Sequence, residues 1–377
     1  LKLNLRTQKE MMRKWNETHY QIWQTSVGGR AHEWAQSTGK GMLPSSKMKA
    51  EEENLTELVL SLDREINTLK MQQERDPRND NLLININGVL MRRGVARISP
   101  FDSLVQGGDG VWEGLRVYPG GIFRLQAHLA RLRRSAQALS FTDIPSIQSL
   151  EQEIARTLEA NDMHDGVHIR LTLSRGEKIT SGMDPRLNQS GPTLIVLAEH
   201  KPPVYDRSGL SLMTSSVRRF RADMLDPKIH HNNLIQSIMA KIEANAAGCD
   251  DAMMLDDRGF VAETNATHLF LVSDGVVRTS RLVACPEGIT RSVILEICAA
   301  EEIPLAQCDL TQAEFYAADE CFCTGTMGEL AAVTTIDGRS IGRGEVGPMT
   351  TRLSECLSQV IASECEPIGL PCGSQPS

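Results

Sequence analysis

The chain has 377 residues, of which 41% are hydrophobic and 23% charged, with a formal net charge of −8. That balance excludes a chain disordered throughout, and the length allows two ordinary domains plus an appendage. No run approaches the roughly 18 uninterrupted apolar residues of a membrane helix, and an acidic surplus is unsuited to a phosphate backbone, so neither membrane nor nucleic acid is the expected partner.

The charge is unevenly spread. Residues 1–49 hold nine Lys and Arg against Glu10, Glu17 and Glu33, a surplus of six positive charges, so the remainder carries −14. Trp15, Trp23 and Trp34, three of the four Trp, lie in the same stretch. It reads as a helix or two, then a Gly/Ser/Lys-rich linker ending near Lys49. Residues 50–73 form the clearest helix. Leu55, Val59, Leu62, Ile66 and Leu69 recur at alternating spacings of four and three, a heptad-like apolar seam with charged flanks. Pro77 and Asn79-Asp80 break it. Residues 1–80 are thus expected to be a helical extension. Leu1 in place of Met fits a processed form or a fragment; Trp and acidic residues disfavour a transit-peptide remnant.

From Leu82 the pattern becomes α/β. Leu82 to Leu90 alternates like a strand, and Phe123 to Leu139 is an Arg-rich amphipathic helix. Val167 to Leu173 and Pro192 to Leu197 read as strands. Lys201-Pro202-Pro203 marks a linker. Leu210 to Val217, Ala252 to Leu255, His268 to Val272, Cys321 to Thr324 and Leu330 to Ile336 read as strands, and Leu234 to Ala247 and Thr290 to Ala300 as helices. The expected division is a small α/β domain at 82–200, a linker at 201–208, a large domain at 209–365 and a flexible tail at 366–377. The fold class is α/β, more closely an α+β pair of domains.

Nine Cys, none before Cys249 and none in CxxC spacing, fit reduced thiols in an intracellular compartment, plastid or cytoplasm, and no metal site is expected.

Four stretches carry chemistry. Phe101-Asp102-Ser103 precedes Gly107-Gly108-Asp109-Gly110-Val111-Trp112-Glu113-Gly114, whose glycine spacing is not that of a dinucleotide loop. Pro286-Glu287-Gly288-Ile289-Thr290-Arg291 opens a helix, where free amides and the helix dipole suit a phosphate, although a plain helix cap has the same pattern. Thr324-Gly325-Thr326-Met327-Gly328-Glu329 lets backbone amides approach an anion. Asp226-Pro227-Lys228-Ile229-His230-His231-Asn232-Asn233 precedes a helix.

In order and spacing these stretches resemble the fold-type IV pyridoxal-phosphate enzymes: branched-chain aminotransferases, D-amino-acid aminotransferases and aminodeoxychorismate lyases. The resemblance runs from about Leu82 to Glu364. It is carried by Ala96-Arg97-Ile98-Ser99-Pro100-Phe101-Asp102, by Phe123-Arg124-Leu125 with His128 and Arg131, by Gly259 to Asn265 and by Gly288 to Arg291. It is strongest to the plant chloroplast branched-chain aminotransferase-like proteins.

The resemblance implies pyridoxal 5'-phosphate as cofactor, amino acids or 2-oxo acids as substrates, and a homodimer. It implies Arg131, Ile289, Thr290 and Thr326 on the phosphate and Glu263 on the pyridine nitrogen, where a carboxylate keeps that nitrogen protonated. It implies Arg170, His168, Trp112 and Met327 at the substrate, with His168 standing where branched-chain enzymes have Tyr. One position departs. Family members carry a Schiff-base Lys where this chain has His230, and a Tyr where it has Leu234. A His forms no Schiff base but is an acid or base near neutral pH. Lys228, two residues upstream, shares His230's face if the segment is a strand, and is the candidate replacement. Neighbouring His230 and His231 then face apart, which argues against a shared metal. Three readings follow: a transaminase, a Lys-less lyase or other acid/base enzyme with or without the cofactor, and a non-catalytic binding relative.

Overall fold

Alternation beginning at Leu82 is interrupted at Asn87-Gly88. Both residues take positive φ, 49° and 79°, as a two-residue hairpin turn requires. The single strand expected over Leu82–Leu90 is therefore a hairpin, β1 (Leu83–Ile86) and β2 (Val89–Arg92), with Ile86 opposite Val89. This computed structural model describes residues 75–205 and 208–368. The basic start, the heptad seam at 50–73 and the end of the tail lie outside the described residues.

The chain continues through α1 (Ser103–Gly107), β3 (Gly110–Tyr118), β4 (Gly121–Phe123), α2 (Leu125–Ala138), α3 (Ile147–Ala160), β5 (Val167–Ser174) and β6 (Thr193–His200). Then come β7 (Leu210–Arg218), α4 (Ala222–Leu225), α5 (Ile235–Ala247), β8 (Asp251–Leu255), β9 (Val261–Thr264), β10 (His268–Ser273) and β11 (Val276–Ser280). The rest is α6 (Ile289–Ala300), β12 (Leu305–Cys308), α7 (Gln312–Tyr316), β13 (Glu320–Gly325), β14 (Glu329–Ile336), β15 (Arg339–Ser340), α8 (Pro348–Glu364) and β16 (Cys365–Glu366).

Two sheets result. The first runs β16-β4-β3-β5-β6-β1-β2, and the second β12-β11-β10-β13-β14-β7-β8-β9 with β15 on β14. Helices α3 and α8 escape the sequence pattern because each presents one apolar residue per turn, Leu150-Ile154-Leu158 and Leu353-Leu357-Ile361, among polar neighbours.

Strand alternation sorts β3. Val111, Leu115 and Val117 join the apolar core with Leu129 and Leu132 of α2 and Leu150 and Ile154 of α3. Glu113 shares their register, so a carboxylate enters that layer. The even residues Trp112, Gly114, Arg116 and Tyr118 take the other face.

A second core forms where Phe123 meets Val293 and Ile297 of α6 and Leu353 and Leu357 of α8. Helix α8 starts at Gly347, which has no capping side chain. Glu320 supplies it from β13: the amides of Met349 and Thr350 donate to its carboxylate at 2.9 and 2.7 Å, and the Thr350 hydroxyl at 2.7 Å. Glu320→Ala is expected to cost about 2 kcal/mol through the lost cap and the bared hydroxyl, seen as a lower urea midpoint. An unchanged midpoint would remove Glu320 from that role.

Candidate active site

The odd face of β3 is met by one face of α2. His128, Arg131 and Ser135 follow the three-then-four spacing that stacks side chains on a helix. Glu113 accepts from His128 Nδ1 at 2.7 Å and from Arg131 Nε and Nη2 at 2.8 and 2.7 Å. Burial alone would raise this carboxyl, but Arg131, His230 and His128 hold it well below the usual carboxylate range.

Ser135 reaches the loop before α5. It accepts the amide of His230 at 3.0 Å, while the amide of Trp112 donates to the His230 carbonyl at 2.9 Å. The segment 226–229 is a turn, not a strand. The face-sharing argument for Lys228 therefore fails: Lys228 is exposed and does not line the cavity that His230 lines. The turn ends at residue 229, and His231 then makes a single antiparallel bridge with Val111, flanked by the Trp112 amide on the His230 carbonyl and the Asn232 amide on the Gly110 carbonyl at 2.9 Å each. The Trp112 indole donates to the His231 carbonyl at 3.1 Å, and its ring stacks with His230 at 4.4 Å between centroids.

That cavity has a volume of about 340 Å³. Its lining mixes polar residues, among them His230, Glu263, Arg219, Asn265 and Lys241, with apolar ones, Trp112, Ile229, Leu234, Ile238 and Phe220. Lys241 donates to the Asp250 carbonyl and pairs with Asp251 at 3.1 Å. Glu263, on β9, is 3% exposed and accepts from the Arg219 guanidinium, which also donates to Ser237 at 3.0 Å. Burial pushes the Glu263 carboxyl up to about 7, against the pull of Arg219.

The helix-start stretch closes the site from behind. Arg131 Nη1 donates to the Glu287 carbonyl at 2.6 Å, which brings Arg131 to the N-terminus of α6. Gly288 caps that helix without a side chain, and a Cβ there would collide with the His268 ring, so only glycine fits. Thr290 and Thr326 line one narrow cleft with Arg116 and His128, and the Thr324 hydroxyl beside it in sequence is buried without a partner. The cleft offers Arg116, the start of α6 and two hydroxyls as donors for an oxyanion, beside the Glu329 carboxylate, which pairs with Arg116 at 4.0 Å and accepts from the Tyr118 hydroxyl at 3.0 Å; Arg131 itself does not line it. Ile289 contributes its place at the helix start and lines neither space.

The expected substrate residues separate. Trp112 lines the cavity. Arg170 does not: its guanidinium lies 3.4 Å over the Trp112 ring and donates to Asn232 at 2.9 Å. Burial lowers it to about 10. His168 pairs in register with Arg116 and is held neutral, pushed to about 3 by burial and by Lys201, Arg170 and Arg116. Met327 lies in the turn after β13, outside both spaces, where its carbonyl accepts from the Val204 amide at 3.1 Å.

Sequence reasoning assigned no role to Glu113, His128, Arg116 or Arg219. A carboxylate in the inward register of an otherwise apolar strand was the available signal for Glu113. Arg219 carries none, because its partner Glu263 is 44 residues away.

The structure combines a two-sheet arrangement, a narrow cleft at the start of α6 and a larger cavity lined by the buried Glu263 carboxylate, which together define a cofactor-binding class of α/β fold. Residues 110–336 match the family described as Amino-transferase class IV, and the chain belongs to that family. Over 293 residues it is 50% identical to branched-chain-amino-acid aminotransferase-like protein 2 of Arabidopsis thaliana, covering 78% of this chain and 52% of that protein. The chain thus spans about half the length of the plant relatives it matches. It is 34% identical over 268 residues to the branched-chain-amino-acid aminotransferase of Pseudomonas aeruginosa, covering 69% of this chain and 86% of that one. Among solved structures it is similar to the T.th. branched-chain amino acid aminotransferase complexed with N-(5'-phosphopyridoxyl)-L-glutamate, at 32% identity and TM-score 0.69 over 75% of this chain and 95% of that chain. The same enzyme with pyridoxamine 5'-phosphate gives 33% identity and TM-score 0.70, with the same coverage.

Glu263 makes stability pH-dependent. Its carboxyl ionises near 4.5 when unfolded and near 7 when folded, so between those values the folded state holds more protons, and stability falls as pH rises. Glu263→Gln is expected to lessen that fall, measured as urea midpoints from about pH 4.5 to about 7.5. Parallel curves for both proteins would contradict the burial assigned to Glu263.

Proposed function

We propose that this chain is a pyridoxal-phosphate-dependent enzyme of the aminotransferase type, acting on amino acids or 2-oxo acids with apolar, branched side chains, and that it holds the cofactor without a covalent bond. The single observation carrying this reading is the buried Glu113 carboxylate, which joins Arg131 at the start of α6 to His230 on the cavity that Glu263 lines. Arg131, the amides of Ile289 and Thr290, and the Thr326 hydroxyl would hold the phosphate, and Glu263 the pyridine nitrogen. The bound cofactor supplies an electron-accepting ring that stabilises negative charge at the substrate Cα. The apolar lining residues Trp112, Leu234, Ile238 and Phe220 support an apolar side chain. Arg170, stacked on Trp112 and bonded to Asn232 outside the cavity, would act by positioning Trp112 and the loop carrying His230.

Noncovalent binding rests on the lysines. Lys228 is outside the cavity and exposed, and Lys241 is committed to Asp251 and the Asp250 carbonyl. A protonated, paired amine is not a nucleophile. We take residues 82–200 and 209–365 as two domains joined at 201–208, in a reducing compartment, plastid or cytoplasm. No helix among the described residues is long and apolar enough to cross a membrane.

A homodimer is supported by α5. Ile235, Ile238, Met239 and Ile242 form a stripe at i, i+3, i+4 and i+7, each about half exposed or more. Sedimentation of the full chain is expected to give a dimer, and Ile238→Asp with Ile242→Asp a monomer. A wild-type monomer would discard the dimer.

The cofactor reading is tested by mixing the chain with pyridoxal 5'-phosphate and reducing with borohydride. The expected result is saturable binding with no cofactor retained after denaturation, and trapping at position 230 in His230→Lys. Label on Lys228 in the wild type would overturn noncovalent binding, and no binding at all would overturn the cofactor reading.

A further inference from the structure

His230 is positioned far more tightly than a passive wall residue needs to be. Both its backbone polar groups are bonded, to Ser135 and to Trp112, and its ring stacks on Trp112. Its Nδ1 lies 2.6 Å from the Trp112 carbonyl. A carbonyl only accepts, so Nδ1 carries the hydrogen, and in the neutral ring Nε2 holds the lone pair. Glu113 Oε1 is 3.3 Å from the same Nδ1. Nε2 has no hydrogen-bond partner among the described residues, and the ring lines the cavity that Glu263 also lines.

The ring is therefore a neutral base with a fixed tautomer, backed by an anion. We propose that His230 and Glu113 form the proton-transfer pair of this cavity, in which Nε2 exchanges a proton with the Cα of a bound amino acid and Glu113 steadies the imidazolium so formed. This rests on the reading of the cavity as a cofactor and amino-acid site. In the step the Cα–H bond breaks, an Nε2–H bond forms, and the electron pair stays on the ligand. His230 is the catalytic residue and Glu113 the positioning residue. Glu113 serves three groups at once: Arg131, at the start of α6, takes both its oxygens, His128 shares one and His230 the other. The same carboxylate thereby ties the proposed phosphate arginine to the proposed base.

The charged and titratable groups around His230 are Glu113 from β3, Arg131 from α2, His231 beside it, and Glu263, Arg219 and His268 from the second sheet and its loops. Burial and Arg131 lower the His230 pKa, and Glu113 opposes them. Loss of the Glu113 charge therefore moves the acidic limb of any His230-dependent rate to lower pH.

The test uses the full chain. On the ligand-free protein, nitrogen-15 NMR of the histidine rings is expected to show Nδ1–H and bare Nε2 for His230 at about pH 8, with a titration midpoint that drops in Glu113→Gln. With pyridoxal 5'-phosphate and L- or D-leucine in D2O, proton NMR reads loss of the Cα hydrogen. His230→Gln is expected to slow that exchange by about a hundredfold or more while cofactor binding persists. Glu113→Gln is expected to slow it about tenfold with its acidic limb shifted down, and Glu113→Asp to recover part of the rate. An Nε2–H tautomer, a midpoint unmoved by Glu113→Gln, or wild-type exchange in His230→Gln would each overturn the pair. If Glu113→Gln does not fold, Glu113→Asp and His230→Gln decide. If the cofactor does not bind, the proposed function falls on its own, and the tautomer and titration of the ligand-free chain still decide the pair.

Discussion

A carboxylate with no exposure at all, Glu113, is the interaction on which the rest of the site depends. An isolated ion in an apolar layer costs far more than a domain can offset, so it persists only where cations and donors surround it. Arg131 meets it in bidentate fashion, His128 completes the second oxygen, and His230 approaches the first. Through these residues one carboxylate links α2, the oxyanion cleft and the cavity wall. Removing one partner from such a cluster typically costs about 3–5 kcal/mol, because the other charge stays buried. The cluster therefore sets the register of α2 against β3 and, through Ser135 and Trp112, the path of the loop carrying His230.

The second sheet contributes a smaller version of the same arrangement. Glu263 is buried beside Arg219, and the carboxyl is held close to neutrality by burial rather than deep in its ionised form. Two carboxylates in one site thus differ in character. Glu113, with several donor and cationic partners, is firmly anionic. Glu263, with one close partner, is poised to ionise when a second positive group arrives. A protonated pyridine nitrogen is a group of that kind, which is the physical sense of the role proposed for it.

Among the described residues, no lysine stands ready in the cavity. The class IV family relation is clear from residues 110–336, and the likeness to branched-chain enzymes holds at 50% identity to a plant relative. The local structure around position 230 is nevertheless organised, with both backbone groups and the ring held.

Much of this was legible in sequence because it is local. Period-two and period-3.6 patterns placed β5, β7, α2, α5 and α6, and the helix-start and Thr-Gly-Thr stretches marked two segments that meet at one cleft, since turns and helix ends depend on a few adjacent residues. The hairpin at Asn87-Gly88 was equally local, in a dipeptide whose positive φ values bend the chain. The role of Glu113 was not legible: it depends on residues 15, 18 and 117 positions away, brought together by a helix packed on a sheet. The same holds for Arg219 and Glu263; Lys228 was misplaced because its strand-face argument assumed an extended segment where Asp226 closes a turn through the amides of Lys228 and Ile229. The sequence by itself determined many of the elements, the family and the identity of the residue at position 230. Only the tertiary structure decided which charges meet, because burial and electrostatic pairing are properties of distance in space and not of distance along the chain.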